Sequence, residues 1–320
     1  MPVYNGEKTL AKAIESILYQ DYENLEIIIS DNASTDSTYA ISQHYKELDS
    51  RIRYSRFDEN FGTIRNFNNV FKLSSGEFFM WVAHDDYHDP GFISECIRAF
   101  ASEPEAALCS PIMRGFSSPK AKSPWTADLS SFKEKSTTYG RYLEVLSHFP
   151  AVAIYGMYRS SAVQKTTLLP DCMGADLLFI QELSLYGKFI QCDKMLFTYY
   201  GRDKWNTVDE DYAVFYGKDK KPWYYSPFLV VLLNQIKILV NCKHTKKAKT
   251  ALLSILLLYQ TQQFIVKVTL KIIKYMVPGK WKMILAKKIY WRFIHSRNVK
   301  AEADDEFLER IIRPSVGIRI

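Results

Sequence analysis

The chain has 320 residues and a net charge of +7, with 47% apolar and 24% charged residues. These are globular proportions on a length near two typical domains, and they exclude a disordered tail, a collagen and a heptad rod. Cys96, Cys109, Cys172, Cys192 and Cys242 stand apart with no C-x-x-C pair, which argues against a zinc ribbon or a dithiol redox site and suits a reducing compartment.

From the N-terminus, Glu7–Gln20 places Leu10, Ala13, Ile14, Ile17 and Leu18 at the spacing of one helix face. Leu25–Ser30 is a short β-branched run that reads as a buried parallel strand. The turn and cap residues Asp31-Asn32-Ala33-Ser34 lead into a helix over Thr35–Leu48. Arg51–Arg56 reads as a strand, Thr63–Leu73 as a helix, and Glu77–Ala83 as a buried strand entered through Ser75-Gly76. Pro90 opens a helix to about Ala101, at a favoured first-turn position, and Ala106–Ser110 is a further strand. Phe116–Lys135, rich in Ser, Pro and Lys, reads as a loop over the site. Leu177–Tyr186 is predicted helical, with Asp176 in its cap or first turn, and Met195–Tyr200 is predicted as a strand followed by Arg202, a candidate for reaching a diphosphate.

This alternation predicts an α/β sheet with covered faces. Ligands of such sheets bind at the carboxyl ends of the strands, where Asp31 and the pair Asp85-Asp86 fall. There is no G-x-G-x-x-G, no G-x-x-x-x-G-K-[ST] and no G-x-S-x-G, so the dinucleotide, P-loop and α/β-hydrolase readings lose their main support. Adjacent carboxylates at a buried strand end are costly without a positive partner. A Mg²⁺ or Mn²⁺ ion shared with a substrate diphosphate is one such partner; the alternative is an Asp-rich turn capping the helix at Pro90. His84 and His88 stand four apart, but Pro90 puts them in a loop and no H-E-x-x-H is present, which disfavours zinc. His148 is a candidate third metal ligand, against a structural role near a helix end.

Charge divides the chain. Residues 1–225 carry 24 Lys/Arg and 30 Asp/Glu, and residues 226–320 carry 18 and 5. Between Ser226 and Lys300 there are 15 basic residues and no acidic one. A boundary near Pro222–Pro227 therefore separates an acidic body (1–225) from a basic, apolar helical region (226–320). In Trp281–Phe293 the basic residues interleave with large apolar ones, as in a helix lying in an anionic membrane interface; the alternative is a helical bundle with a solvated basic face. Ala303–Glu309 reads as a short acidic surface helix. Nucleic-acid motifs are not visible. No signal peptide and no run of about 18 apolar residues is seen, so the expected location is cytoplasmic, peripheral on the inner face of the membrane.

Taken together, Pro2-Val3-Tyr4-Asn5, Ser30-Asp31-Asn32-Ala33-Ser34-Thr35-Asp36, Glu59-Asn60-Phe61-Gly62, Ser75-Gly76-Glu77 and Asp85-Asp86 resemble the family 2 glycosyltransferases of bacterial surface-polysaccharide synthesis. Ile154–Ser160, Gly174-Ala175-Asp176 and Tyr186–Phe189 resemble the acceptor half of the same family, so the resemblance covers about residues 1–202. It implies the GT-A fold, a Rossmann-like, mostly parallel sheet with helices on both faces. Residues 1–110 would form the nucleotide-sugar half and 111–225 the acceptor half. The resemblance assigns Pro2, Tyr4, Asp31, Arg65 and Asp85 to the nucleotide: Tyr4 and Asp31 at a uracil or thymine base, Arg65 as a basic position nearby, Asp85 at the ribose. Asp86 would face the metal. Asp176 would be the general base of an inverting transfer to a hydroxyl of a glycan or lipid-linked acceptor. The alternatives are a surface role for Arg65 and a helix-capping role for Asp176.

Three departures accompany the resemblance. Met1 directly precedes Pro2, so the family's full first strand is nearly absent, through a late start or a truncation, and the sheet is expected to lack one central strand. Ala83 stands where a D-x-D-D pattern has its first acid, and Ala175 where an E-D pair has its glutamate. Two other functions compete with glycosyl transfer. A sugar nucleotidyltransferase would need a Gly-rich basic loop that Asn5-Gly6-Glu7-Lys8 does not supply. A non-catalytic membrane or polyanion binder would leave Asp86 and Asp176 dispensable.

Overall fold

The computed structural model describes residues 1–116, 123–201, Tyr212, 226–276 and 299–300, with side chains of the last helix described through Ile265. Of the residues singled out above, Arg202, 222–225, Trp281–Phe293 and Ala303–Glu309 lie outside the described residues.

The apolar run after Leu25 becomes strand β2 (Ile27–Asp31), buried along its whole length. Its side chains alternate between two cores, as the period of a strand requires. Ile27 and Ile29 pack with Val3, Leu10, Ile14 and Ile52, while Ile28 faces the larger cluster around Val70, Phe79 and Trp81. Strands β1 (Pro2–Val3) and β3 (Ile52–Arg56) flank β2 in parallel, with Val3 opposite Asp31 and Ile27 opposite Ile52. Helices α1 (Leu10–Leu18), α2 (Thr38–Leu48) and α3 (Thr63–Leu73) connect and cover these strands. Helix α1 starts at Leu10 rather than Glu7 because the Gly6 carbonyl closes a turn, accepting from both Thr9 N and Leu10 N.

The remaining strands form a second, mixed sheet. Strand β4 (Phe78–Met80) pairs antiparallel with β8 (Met157–Arg159). Strand β5 (Tyr87–His88) pairs with β9 (Lys188–Tyr200), which runs parallel to β6 (Ala106–Phe116) over its length. Strand β7 (Trp125–Ala127) adds antiparallel to β6, and β10 (Val299–Lys300) to β7. Helix α4 (Phe92–Ser102) packs on β6 and β9. The fold class is α/β, as expected. The differences are local. Strand β6 continues past Ser110 through a register slip at Pro111, a position where a residue without an N–H is tolerated. Part of the predicted loop 116–135 is sheet and helical turn, because Thr126 pairs with Arg114 and residues 130–132 coil as a 3₁₀ turn.

The first strand is short, as its sequence requires, and β1 and β4 belong to different sheets. The Met1 amino group donates to Ile28 O at 2.6 Å, and burial pushes its pKa down to about 5. Beside it a cavity of about 420 Å³ lies between β2 and β4, lined by Ile27, Ile28, Phe79, Met80, Val82 and Ile93 among others.

Helices α5 (Thr138–His148), α6 (Ser160–Val163) and α7 (Ala175–Leu183) belong to the second half. Helices α8 (Pro227–Asn241) and α9 (Lys246–Met276) follow; Ser226 caps α8, its Oγ accepting from Leu229 N at 3.3 Å. They share a third core with the body: Ile238, Leu239, Leu252 and Leu256 pack with Tyr142, Leu178 and Leu185. Gln235 Nε2 donates to Gln181 Oε1 at 2.9 Å inside that contact. The basic region from 226 to 265 is thus built onto the body, and its outer faces expose Phe228, Leu229, Leu233, Leu257, Leu258 and Phe264. No helix among the described residues is long and apolar enough to cross a membrane.

Candidate active site

At the carboxyl end of β2 the Asp31 side chain is fully buried. Its Oδ1 accepts from Ser34 N at 2.8 Å, closing an Asx turn. Its Oδ2 accepts from the Tyr54 hydroxyl at 2.7 Å and from Arg56 Nη1 at 3.1 Å. A buried carboxylate needs such partners. Burial, then the bond to Asp31, pushes the Tyr54 phenol up. Arg56 also donates to Ser34 O at 2.8 Å and lies over the Tyr39 ring. Sequence reasoning missed Tyr54 and Arg56; the signal was their position at the end of the neighbouring strand β3.

Tyr4 follows β1 and is 44% exposed. It is held beside the Asp31 turn by backbone bonds on both sides: Asn32 N donates to Val3 O and Asn5 N to Ser34 Oγ, each at 2.9 Å. Pro2 is buried in β1 opposite Ser30, so its role there is to hold the strand. The segment 59–62 folds onto the same turn, since Phe61 N donates to Asn32 Oδ1 at 3.0 Å. Arg65, exposed in the first turn of α3, sits 5.6 Å over the Phe61 ring and lines a cavity of about 340 Å³ with Phe57, Asn68 and Asn69. Pro2, Tyr4, Asp31 and Arg65 therefore gather at one end of the first sheet.

The acidic pair follows β4. Asp86 is 3% exposed, and its Oδ1 accepts from Tyr200 N at 3.0 Å. Its Oδ2 is buried with no hydrogen-bond partner. Burial first, and then Asp85, hold the Asp86 carboxyl well above the usual range. A buried, unpartnered carboxylate oxygen beside a second carboxylate fits a divalent cation with oxygen ligands. His84 ties this loop to the first sheet: its Nδ1 lies 3.1 Å from Thr9 Oγ1, and a side chain at Gly6 would press on the same ring.

Asp176 lies in the first turn of α7, where its Oδ1 accepts from Leu177 N at 2.8 Å, and burial raises its pKa. The capping geometry expected of a structural aspartate is therefore present, together with a perturbation of the kind found at working acids and bases. The phenol of Tyr155 brings the acids into one neighbourhood. Burial pushes it far up, followed by the charges of Asp86 and Asp85, the Tyr199 phenol and the charge of Asp176. Tyr155 itself stacks on Phe197, centroids 5.7 Å apart.

Other candidates fall elsewhere. His88 is fully buried between Phe92 and Phe197, with its pKa pushed down to about 3, so it forms no metal pair with His84. His148 lies 3.1 Å from Glu144 on α5, and that contact replaces the expected metal role. Three of the cysteines read as standing apart converge: the thiols of Cys96, Cys109 and Cys192 lie within 4.8 Å of one another, all buried. Apart in sequence, they meet because α4, β6 and β9 pack together, and they fill the core as small apolar side chains do.

Comparison with known proteins is consistent with this geometry. The family described as glycosyl transferase family 2 matches residues 1–166. A 100-residue stretch is 40% identical to the GalNAc(5)-diNAcBac-PP-undecaprenol beta-1,3-glucosyltransferase of Campylobacter jejuni, covering 31% of this chain and 32% of that protein. The chain spans about a third of the length of the first curated relatives it matches. Among solved structures, S. aureus TarS 1-349 in complex with UDP-GlcNAc is similar with a TM-score of 0.58 and 22% identity, over 80% of this chain and 70% of that one. The mannosyltransferase PcManGT of Pyrobaculum calidifontis, in complex with GDP-Man and Mn2+, gives a TM-score of 0.53 and 12% identity, over 97% and 83%. These structural likenesses bear on the fold.

Proposed function

The chain belongs to glycosyl transferase family 2, and on that premise we propose that it moves a sugar, with inversion, from a UDP- or dTDP-type donor to a hydroxyl of a glycan or lipid-linked acceptor in cell-surface polysaccharide synthesis. In this reading Tyr4 stacks on the base and Asp31 accepts its imide N–H, steadied by Tyr54 and Arg56. Arg65 faces the phosphates and Asp85 the ribose. Asp86 holds Mg²⁺ or Mn²⁺, which when bound supplies positive charge to the leaving diphosphate. Asp176 takes the proton from the acceptor hydroxyl as that oxygen attacks the anomeric carbon from the face opposite the leaving group. A pKa above the ordinary carboxylate value makes Asp176 a stronger base while leaving it able to ionise.

The observation that carries the reading is the meeting of Asp85, Asp86 and Asp176 around Tyr155 at the strand ends, with one Asp86 oxygen unpartnered. Two halves of the reaction, departure of a diphosphate and deprotonation of a hydroxyl, need acids on two sides of one space. The UDP-GlcNAc bound to TarS supports a nucleotide-sugar donor, and the Mn2+ in PcManGT supports a divalent cation. The exposed apolar residues of α8 and α9, set among lysines, support residence on an anionic membrane surface, with lipid-linked acceptors within reach.

The test is release of nucleoside diphosphate from a panel of nucleotide-sugars with Mn²⁺. Asp176→Asn should lower transfer by about 10² or more, the typical contribution of a general base, while UDP affinity stays within a factor of two or three. Undiminished turnover in that variant would remove the base assignment.

A further inference from the structure

Strands β7, β6 and β9 lie side by side, and their register sets Trp125, Gly115 and Tyr199 in one row: Trp125 is opposite Gly115, and Gly115 opposite Tyr199. Residues paired across strands share a face of the sheet. Gly115 is the small member of the row, and the indole occupies the space above it. A methyl at Gly115 would overlap the indole atoms Cζ2, Cε2 and Cη2. The Trp125 and Tyr199 rings stand 5.9 Å apart at 45°, and both side chains are half-buried.

This row adjoins the acids. Phe197, two residues before Tyr199 and thus on the same face, carries the stacked ring of Tyr155. Tyr155 in turn feels Tyr199, Asp85, Asp86 and Asp176. On the next residue, the Tyr200 amide is bonded to Asp86 Oδ1. Two half-exposed rings, laid across a residue with no side chain and ending at a buried acid cluster, make a shallow apolar floor. A pyranose offers a matching surface. One face of the ring is a patch of C–H groups, while the hydroxyls project around its rim.

We propose that Trp125 and Tyr199 form the floor on which a pyranose of the acceptor stacks, with Gly115 as the gap that lets the indole lie down. The inference rests on the reading of Asp176 as the base, since that fixes which side of the acids the acceptor occupies. The rings act as positioning residues. They hold the C–H face so that a rim hydroxyl points toward Asp176, and they leave the nucleotide end untouched.

The test uses the full chain with Mg²⁺ and UDP, and three probes: methyl β-D-glucopyranoside, methyl β-D-galactopyranoside and methyl N-acetyl-β-D-glucosaminide. Saturation transfer from the protein should reach the ring C–H protons of at least one probe. Trp125→Ala should weaken that probe about tenfold, and Gly115→Ala similarly, because the new methyl displaces the indole. Trp125→Phe should retain part of the binding. UDP affinity, measured by titration, should be unchanged in all three variants and reports that they are folded. Asp176→Asn should keep the sugar signal, so a failure of the base assignment would show in turnover without touching the stacking result. No transfer to any probe in the unaltered chain, or equal transfer in Trp125→Ala with UDP affinity intact, would overturn the proposal.

Discussion

Asp86 has one oxygen bonded to the Tyr200 amide and one bonded to nothing. Its raised pKa means the folded chain binds this proton more tightly than the unfolded chain does. Stability from this group is therefore full below the unfolded value and falls as pH rises through the higher folded value. Without a cation, Asp86→Asn should raise the melting temperature at pH 7 by a few degrees and abolish the upward shift given by Mn²⁺. Thermal denaturation with and without the ion reads both, and a Mn²⁺ shift that survives in the variant would move the metal elsewhere. His88 has the opposite slope. Its pKa of about 3 lies below the ordinary value of 6.5, so stability is full above 6.5 and declines as pH falls toward 3, by ~1.4 kcal/mol per pH unit in that window. Its two ring nitrogens are buried without partners, and Phe92 and Phe197 already treat the ring as an aromatic filler. His88→Phe should flatten urea-measured stability between pH 6.5 and 4.

At the scale of elements, short β1 sets the stability of the first sheet. The Met1 ammonium occupies the place of a ladder N–H, bonded to Ile28 O, with the cavity continuing along β2 and β4. Joining a Val/Ile-rich segment of four or five residues to that nitrogen would replace a buried amine by a peptide and fill the cavity with apolar side chains. Such an extension should raise the melting temperature by several degrees, whereas a Ser/Gly extension of equal length should not; equal effects would argue against strand addition. Much at this scale was legible in sequence. The period-two burial of Ile27–Ile29, the helix over Thr63–Leu73 and the acids at strand ends follow from local pattern. The length of β6 and β9, the antiparallel partner of β4 and the row Trp125–Gly115–Tyr199 were not legible, because they depend on register between segments far apart in the chain. The roles of Tyr54 and Arg56 were hidden for the same reason. Nothing local in Tyr54-Ser55-Arg56 says that Asp31 needs their charge and hydroxyl; only the parallel pairing of β2 with β3 brings them to it.

For the whole molecule, charge and shape point the same way. Helices α8 and α9 bury one side against α5 and α7 and turn the other outward with Leu233, Leu257, Leu258 and Phe264 exposed. Exposed Lys237, Lys243, Lys246 and Lys247 stand among them, and no acid occurs between Ser226 and Lys300. Deleting the region would strip Ile238, Leu239, Leu252 and Leu256 from the third core, so a deletion would confuse unfolding with loss of a surface. Charge reversal at the four lysines avoids this, since none of them is buried. Each lysine near an anionic surface contributes about 1 kcal/mol, so replacing all four by Glu should reduce binding to phosphatidylserine-containing vesicles by about 10² or more at low salt. The unaltered chain should lose binding as ionic strength rises and the Debye length shortens, and neither should bind neutral vesicles strongly. Cosedimentation at two salt concentrations measures all of this. The melting temperature should be unchanged, because these side chains face solvent. Vesicle binding that persists in the reversed variant would leave the surface to another role, and transfer to a water-soluble acceptor, which needs no membrane, should proceed equally in both proteins.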